Sequence, residues 1–123
     1  MTARSFSPLL WMSAAGLLSL LTLAVPAGCS STPPNVGAAC VADGGGCDPG
    51  LFCDTQVDGG YCTTPCSTSG STDACPEQSV CASISSGSGT QCARICNVQS
   101  DCRPDLECNG VTGSSLKACR PKQ

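Results

Sequence analysis

Histidine is absent from this chain of 123 residues, and aromatic residues make up only 3% of it. Without histidine, the chain lacks the usual base of Ser-His-Asp and Cys-His nucleophile systems and the most common metal ligand. Charged residues are also scarce, at 12%, and the formal net charge is −3. Such a chain has neither the basic groove nor the stacking side chains that nucleic-acid binding uses. These absences argue against most catalytic classes and against a nucleic-acid partner.

Cysteine, in contrast, is abundant, with 13 residues that divide into one plus twelve. Cys29 stands alone after an apolar N-terminal segment, and the other twelve begin at Cys40. Small exported domains with few bulky apolar residues use disulfides to stabilise their fold. Zinc modules typically use Cys-x2-Cys or histidine, whereas the closest spacing here is Cys-x3-Cys. We therefore expect disulfides at these twelve positions, with no metal and no cofactor.

The first 28 residues have the features of an export signal. Arg4 supplies a positive charge, and the segment from Leu9 to Val25 is mostly apolar, with interspersed Ser, Gly and Thr. This segment is short for a membrane-spanning helix, and no basic cluster follows it. We therefore predict a signal peptide over 1–28 that is removed from the mature protein.

The junction after this segment resembles a bacterial lipobox. Residues 25–29 read VPAGC, which places small residues directly before Cys29. In that family the cysteine sulfur receives a diacylglycerol, and the signal is cleaved before it. The resemblance implies a lipid on Cys29 and, because Ser30 follows, a place in the bacterial outer membrane or at the cell surface. The alternative is cleavage after Ala27 and secretion, but only lipidation leaves an even number of cysteines to pair.

The twelve remaining cysteines form three groups of four with related spacing. In each group the second and third cysteines are six positions apart, and the fourth precedes the next group by four. We therefore divide the mature chain into a lipidated tether (29–39), unit 1 (40–65), unit 2 (66–95) and unit 3 (96–123). The groups are Cys40, Cys47, Cys53 and Cys62 in unit 1; Cys66, Cys75, Cys81 and Cys92 in unit 2; and Cys96, Cys102, Cys108 and Cys119 in unit 3.

Turn residues recur at the same places in the three units. A proline follows each second cysteine by one or two positions, which favours a turn and then a short extended piece. Asp58-Gly59 and Asn109-Gly110 lie between the third and fourth cysteines, where they favour tight hairpin turns. We therefore expect these segments to form exposed loop tips. The predicted fold class is small and disulfide-rich, with three four-cysteine units of short β-hairpins and turns and little helix outside the N-terminal signal.

The disulfide pairing stays open at the level of sequence, because four cysteines allow three connectivities and units can also cross-link. Within a unit we favour first-to-third and second-to-fourth pairing, which ties the central turn to both flanks.

Segments 66–81 and 96–108 resemble cysteine-rich repeats of EGF-like or Dickkopf N-terminal type. The second of these reads CNVQSDCRPDLEC, and the similarity extends over 40–119. The resemblance implies an extracytoplasmic binding or structural module and no catalytic residues.

The function expected from the sequence is therefore a non-enzymatic, lipid-anchored module for binding, adhesion or envelope structure. The membrane is contacted through the lipid on Cys29, and the partner is a protein or a glycan. The alternative is a secreted inhibitor or effector, in which Arg94 enters a protease pocket specific for basic residues. Four acids do not match an EF-hand loop and are expected to form a solvated acidic face rather than a calcium or catalytic site: Asp43, Asp48, Asp54 and Asp58.

Overall fold

The computed structural model describes residues 32–87 and 89–122. The predicted signal and Cys29 lie outside these residues. Within them the chain forms short β-strands and one 3₁₀ turn, Gln99–Asp101, which confirms the small disulfide-rich fold class with little helix. The strands are β1 (Phe52–Asp54), β2 (Tyr61–Thr63), β3 (Ser79–Ser83), β4 (Thr90–Cys96), β5 (Leu106–Gly110) and β6 (Lys117–Pro121).

Six disulfides join the cysteines within their own units, first to third and second to fourth. This is the pairing favoured from the sequence, and the Cα–Cα separations of 5.4 to 5.9 Å suit a disulfide. The bonds are Cys40–Cys53 and Cys47–Cys62, Cys66–Cys81 and Cys75–Cys92, and Cys96–Cys108 and Cys102–Cys119.

Each unit contributes one antiparallel hairpin, and the third and fourth cysteines face each other across it. In unit 1, for example, Cys53 of β1 lies opposite Cys62 of β2. Cys81 and Cys92 are opposite in unit 2, as are the corresponding cysteines of unit 3. Opposite residues project from the same face of a hairpin. The two disulfides of a unit therefore bind the chain before the hairpin to one face of it.

The hairpins of units 2 and 3 merge into one four-stranded sheet with the order β3-β4-β6-β5. Strand β4 is long enough to pair with β3 over Thr90–Arg94 and with β6 at Ile95 and Cys96. Unit 1 forms a separate two-stranded sheet. After β2 the chain runs beside β4 through an isolated bridge between Pro65 and Gln91. Unit 1 is thus connected to the larger sheet without sharing a strand with it.

The end of the expected tether packs against unit 1. The Gly37 N–H donates to the Cys62 carbonyl (2.9 Å), and the Cys62 N–H donates to the Ala38 carbonyl (3.0 Å), as in a third strand beside β2. Asn35 and Asp48 exchange two hydrogen bonds of 2.8 and 2.9 Å. Val36 is buried beneath these contacts. The folded part of the protein therefore begins before the first cysteine of unit 1.

The expected exposed tip is present at Asp58-Gly59 of unit 1 but is misplaced in unit 3. On either side of the unit 1 turn, Val57 and Tyr61 are only 3% and 0% exposed, so the flanks of this loop fold inward. Gly60 permits this path, because it has a φ of +73° and a Cβ there would lie 2.7 Å from the Cys40 sulfur. Asn109-Gly110 belongs to strand β5, and the connection to β6 follows it. Only unit 2 exposes most of its tip.

Candidate functional site

The predicted disulfide cysteines form a compact cluster at the base of each hairpin. In every unit, three sulfur atoms lie within 4.8 Å of one another, because the two disulfides pack together. Thiolates bind metals and act as nucleophiles, whereas disulfide sulfurs do neither in this way. In the oxidised protein these clusters are cross-links.

Tyr61 joins unit 1 to the other two units. Its hydroxyl donates to the Cys119 carbonyl of unit 3 (2.7 Å) and accepts the Arg94 N–H of unit 2 (3.1 Å). Burial disfavours the phenolate and raises the pKa of Tyr61 to about 12, although the Arg94 N–H and the Arg103 and Arg94 charges oppose this shift. Tyr61 is therefore a neutral donor at physiological pH, and it fixes the junction of all three units.

Arg103 makes the second contact between unit 3 and unit 1. Its guanidinium donates to the Gly60 carbonyl (2.9 Å) and forms an ion pair of 2.8 Å with Asp105. The carboxylate of Asp105 thus holds the guanidinium against the inward-folded segment of unit 1. Sequence reasoning singled out neither Tyr61 nor Arg103. The one available signal was that Tyr61 is the only tyrosine in the chain.

A cleft of about 230 Å³ lies beside this junction. Its walls include the segment Asn35–Ala38, the two arginines Arg94 and Arg103, and Asp101. The Asn97 and Val98 N–H groups donate to Asp101 at 2.8 and 3.1 Å and hold the pKa of its carboxyl below the usual range. The Asp101 carboxylate and the Arg103–Asp105 ion pair offset the two guanidinium charges, so little net charge is left in the cleft to attract a ligand.

A larger cleft of about 650 Å³ opens where the three units meet on another part of the surface. We call it the hydroxyl cleft, and it is lined by Gln56, Ser83, Ile84, Ser85, Ser86, Pro121 and Lys122.

Asp54 lies behind this cleft, and the expectation that it belongs to a solvated acidic face is wrong. It is only 6% exposed. Its carboxylate accepts the Gln56 N–H (2.9 Å) and the Ser85 hydroxyl (3.0 Å), which compensates for the loss of water. Asp43, Asp48 and Asp58 are exposed, as expected.

Arg94, the candidate protease contact, is exposed as expected, but it lies in a strand and not on a loop. It lies in β4 opposite Ser79 of β3, and its N–H is bound by Tyr61. A protease substrate mimic needs an extended, accessible backbone on both sides of the inserted residue. The backbone of Arg94 is instead part of the sheet.

Both outer edges of the four-stranded sheet carry local partners. The Gln99 side chain donates to the Leu106 carbonyl (2.7 Å) and accepts the Cys108 N–H (3.0 Å), so one amide caps β5. On the other edge, Gly70 and Ser71 exchange hydrogen bonds with Cys81 of β3. Covered edges of this kind hinder pairing with strands of other chains.

Comparisons with family models, curated proteins and solved structures found no match to this chain. Among residues 32–87 and 89–122, no helix has the length and apolar character to cross a membrane. The six disulfides indicate an extracellular or otherwise oxidising environment.

Proposed function

We propose that this protein is a non-enzymatic module of the bacterial cell envelope, anchored by a lipid on Cys29, that serves binding, adhesion or envelope structure. The observation that carries this proposal is that three small hairpins, each stiffened by its own disulfides, are joined into one folded body. Six internal disulfides stiffen the hairpins, and Tyr61 and Arg103 connect unit 1 to the others. A surface fixed in this way loses little conformational entropy when it binds a partner.

The sequence supports the membrane anchor. Cys29 follows an apolar segment and small residues. A lipid on its sulfur leaves twelve cysteines to form disulfides. All twelve are paired internally, so Cys29 has no disulfide partner in the folded part of the chain. Each buried methylene contributes about 0.8 kcal/mol to membrane binding, so two or three acyl chains give a stable anchor.

The chemistry of the described residues supports a non-enzymatic role. The thiols between Cys40 and Cys119 are consumed in disulfides, and the raised pKa of Tyr61 keeps its hydroxyl neutral. The one acid that we find buried, Asp54, is held by two hydrogen bonds. A general acid or base must instead be free to reach its substrate.

The anchor is tested by intact mass and membrane fractionation after expression in a bacterial host, with alkylation but no reduction. We expect a membrane-bound chain that starts at Cys29, carries lipid mass and contains no alkyl group. The Cys29→Ser variant should fold with the same six disulfides but leave the membrane fraction. A soluble wild-type chain that starts at Gly28, with one alkylated cysteine or as a disulfide-linked dimer, would contradict the anchor and favour the secreted inhibitor or effector.

A further inference from the structure

The hydroxyl cleft is assembled from all three units. Gln56 comes from unit 1, Ser83–Ser86 come from the hairpin tip of unit 2, and Pro121 and Lys122 come from the end of β6 in unit 3. Its volume of about 650 Å³ lies in the range of small-molecule sites. The cleft therefore exists only when the three units are correctly joined.

The buried carboxylate of Asp54 organises two walls of this cleft. One oxygen accepts the Gln56 N–H at 2.9 Å and the other accepts the Ser85 hydroxyl at 3.0 Å. Asp54 thereby connects unit 1 to the hairpin tip of unit 2. Ser85 donates this hydrogen bond, so the orientation of its hydroxyl is fixed. The walls are fixed before any ligand arrives, which lowers the entropy lost on binding.

The lining has the hydrogen-bonding character of a site for a polyhydroxylated ligand. Serine hydroxyls both donate and accept, and the Gln56 side chain offers an amide with both functions. Ile84 and Pro121 supply the apolar contacts, and the lining contains no aromatic side chain. Typical drug-like pockets are mostly apolar, and the centres of protein interfaces favour aromatic residues and arginine. A saccharide fits this lining better than either alternative.

Lys122 adds a positive charge at the rim. Lys122 is exposed. In the described part of the chain, Arg103 and Asp105 form the one ion pair, so the ammonium of Lys122 has no ion-pair partner there. Lys122 also borders a neighbouring groove that contains Glu107, which lies too far away for an ion pair. The Asp54 carboxylate is turned inward toward Gln56 and Ser85. The charge accessible in the cleft is therefore positive and suits a carboxylate.

We propose that the hydroxyl cleft binds a saccharide that carries a carboxylate group. This inference rests on the proposed function as a binding module and names the ligand class and the site. The saccharide hydroxyls bind Gln56, Ser83 and Ser86, and its carboxylate lies against the ammonium of Lys122.

The test is an NMR titration of the oxidised, lipid-bearing protein in detergent micelles, with ¹⁵N-labelled backbone amides. Three probes are added at millimolar concentrations: a galacturonic acid trisaccharide, the neutral galactose trisaccharide, and acetate as the charge alone. We expect saturable shifts at Gln56, Ser83–Ser86 and Lys122 with the acidic trisaccharide, weaker shifts with the neutral one, and none with acetate.

Two lysine variants test the site. Lys122→Gln should weaken binding of the acidic trisaccharide about two- to fivefold and leave the neutral one unchanged. Lys117→Gln removes the same charge from an exposed position at the start of β6, outside the cleft lining, and should leave both unchanged. Equal effects of the two variants, or no saturable shift in the cleft with either saccharide, would overturn the proposal. Membrane fractionation is independent of this titration, so a failure of the cleft leaves the proposed anchored module standing.

Discussion

Units 1 and 2 use the same disulfide scheme, but they are held in the molecule in different ways. The β3–β4 hairpin of unit 2 pairs with β6 of unit 3, so backbone hydrogen bonds cross the unit boundary. The β1–β2 hairpin of unit 1 remains a two-stranded sheet. It reaches the rest through the bridge at Pro65 and through side-chain contacts of Tyr61, Arg103, Thr63 and Asp54. The comparison suggests that disulfides fold each unit, whereas a few polar contacts decide how the units join.

The largest expected effect comes from removing the second–fourth disulfide in either unit. Cys47→Ala with Cys62→Ala and Cys75→Ala with Cys92→Ala open loops of similar length, 15 and 17 residues. Each pair should cost about 2–5 kcal/mol. Because an isolated two-stranded hairpin is marginally stable, unit 1 should lose its structure locally, while unit 2 should keep the pairing of β3 with β4.

Backbone amide hydrogen exchange distinguishes these outcomes. In the unit 1 variant we expect fast exchange over 40–62 and slow exchange in β4 and β6. In the unit 2 variant, the protected amides of β4 should persist at reduced stability. Equal loss of protection in both hairpins would show that the shared sheet does not support unit 2.

Next in size is the effect of a methyl group at the close approach within unit 1. Gly59 and Gly60 have nearly the same φ, +75° and +73°, so alanine brings the same backbone strain at both. A Cβ at Gly60 would lie 2.7 Å from the Cys40 sulfur, whereas the nearest atom at Gly59 is 3.9 Å away. In guanidinium unfolding, Gly60→Ala should cost about 1–3 kcal/mol more than Gly59→Ala. Equal midpoints would mean that unit 1 is loosely packed there.

Tyr61→Phe tests the polar contact between the units. It leaves the Cys119 carbonyl and the Arg94 N–H without their partner, which should cost about 1–3 kcal/mol. Thr63→Val is the comparison, because it removes a single buried hydrogen bond between unit 1 and unit 2, to the Cys92 carbonyl at 2.7 Å. We expect the larger loss for Tyr61→Phe, with faster amide exchange in β2. An unchanged stability in Tyr61→Phe would mean that the hydroxyl does not hold the units together.

A further expected effect is a dependence of stability on pH. Tyr61 has a folded pKa of about 12 against an ordinary value of 10.0, so its contribution to stability is complete below pH 10. Above pH 10 this contribution falls, because the tyrosine of the unfolded chain loses its proton at a lower pH than that of the folded chain. The free energy of unfolding should decrease by about 1.4 kcal/mol per pH unit between pH 10 and 12. Rapid pH-jump unfolding should show this fall in the wild type and not in Tyr61→Phe. A phenolate absorbance that titrates near pH 10 in the folded protein would contradict the burial.

Local features were predictable from the sequence because they depend on short-range constraints. The constant spacing of six between the second and third cysteines fixes a turn, and the residues around it permit short hairpins. The pairing within units was favoured because it ties this turn to both flanks, although four cysteines allow three connectivities. The two-residue signals were less reliable: Asp58-Gly59 does turn, but Asn109-Gly110 continues β5 and leaves the connection to later residues.

Contacts between units could not be predicted in this way. Tyr61 and Cys119 are 58 positions apart, and Arg103 and Gly60 are 43 apart, so no local periodicity relates them. The hydroxyl cleft has the same origin, because its lining converges only after Asp54 has bound Gln56 and Ser85. The burial of Asp54 could not be predicted, because it depends on where the hairpin tip of unit 2 lies in the folded protein. The spacing of the cysteines predicts the three units, whereas the hydroxyl cleft forms only when the units pack together.

The central claim is that unit 1 and the four-stranded sheet form one body although they share no strand. The most direct test is ¹⁵N relaxation of the oxidised, ¹⁵N-labelled protein, compared between the amides of 40–62 and those of β3 to β6. We predict the same rotational correlation time for both groups in the wild type and a shorter one for unit 1 in Tyr61→Phe combined with Arg103→Ala. A shorter correlation time for unit 1 in the wild type itself would contradict the claim.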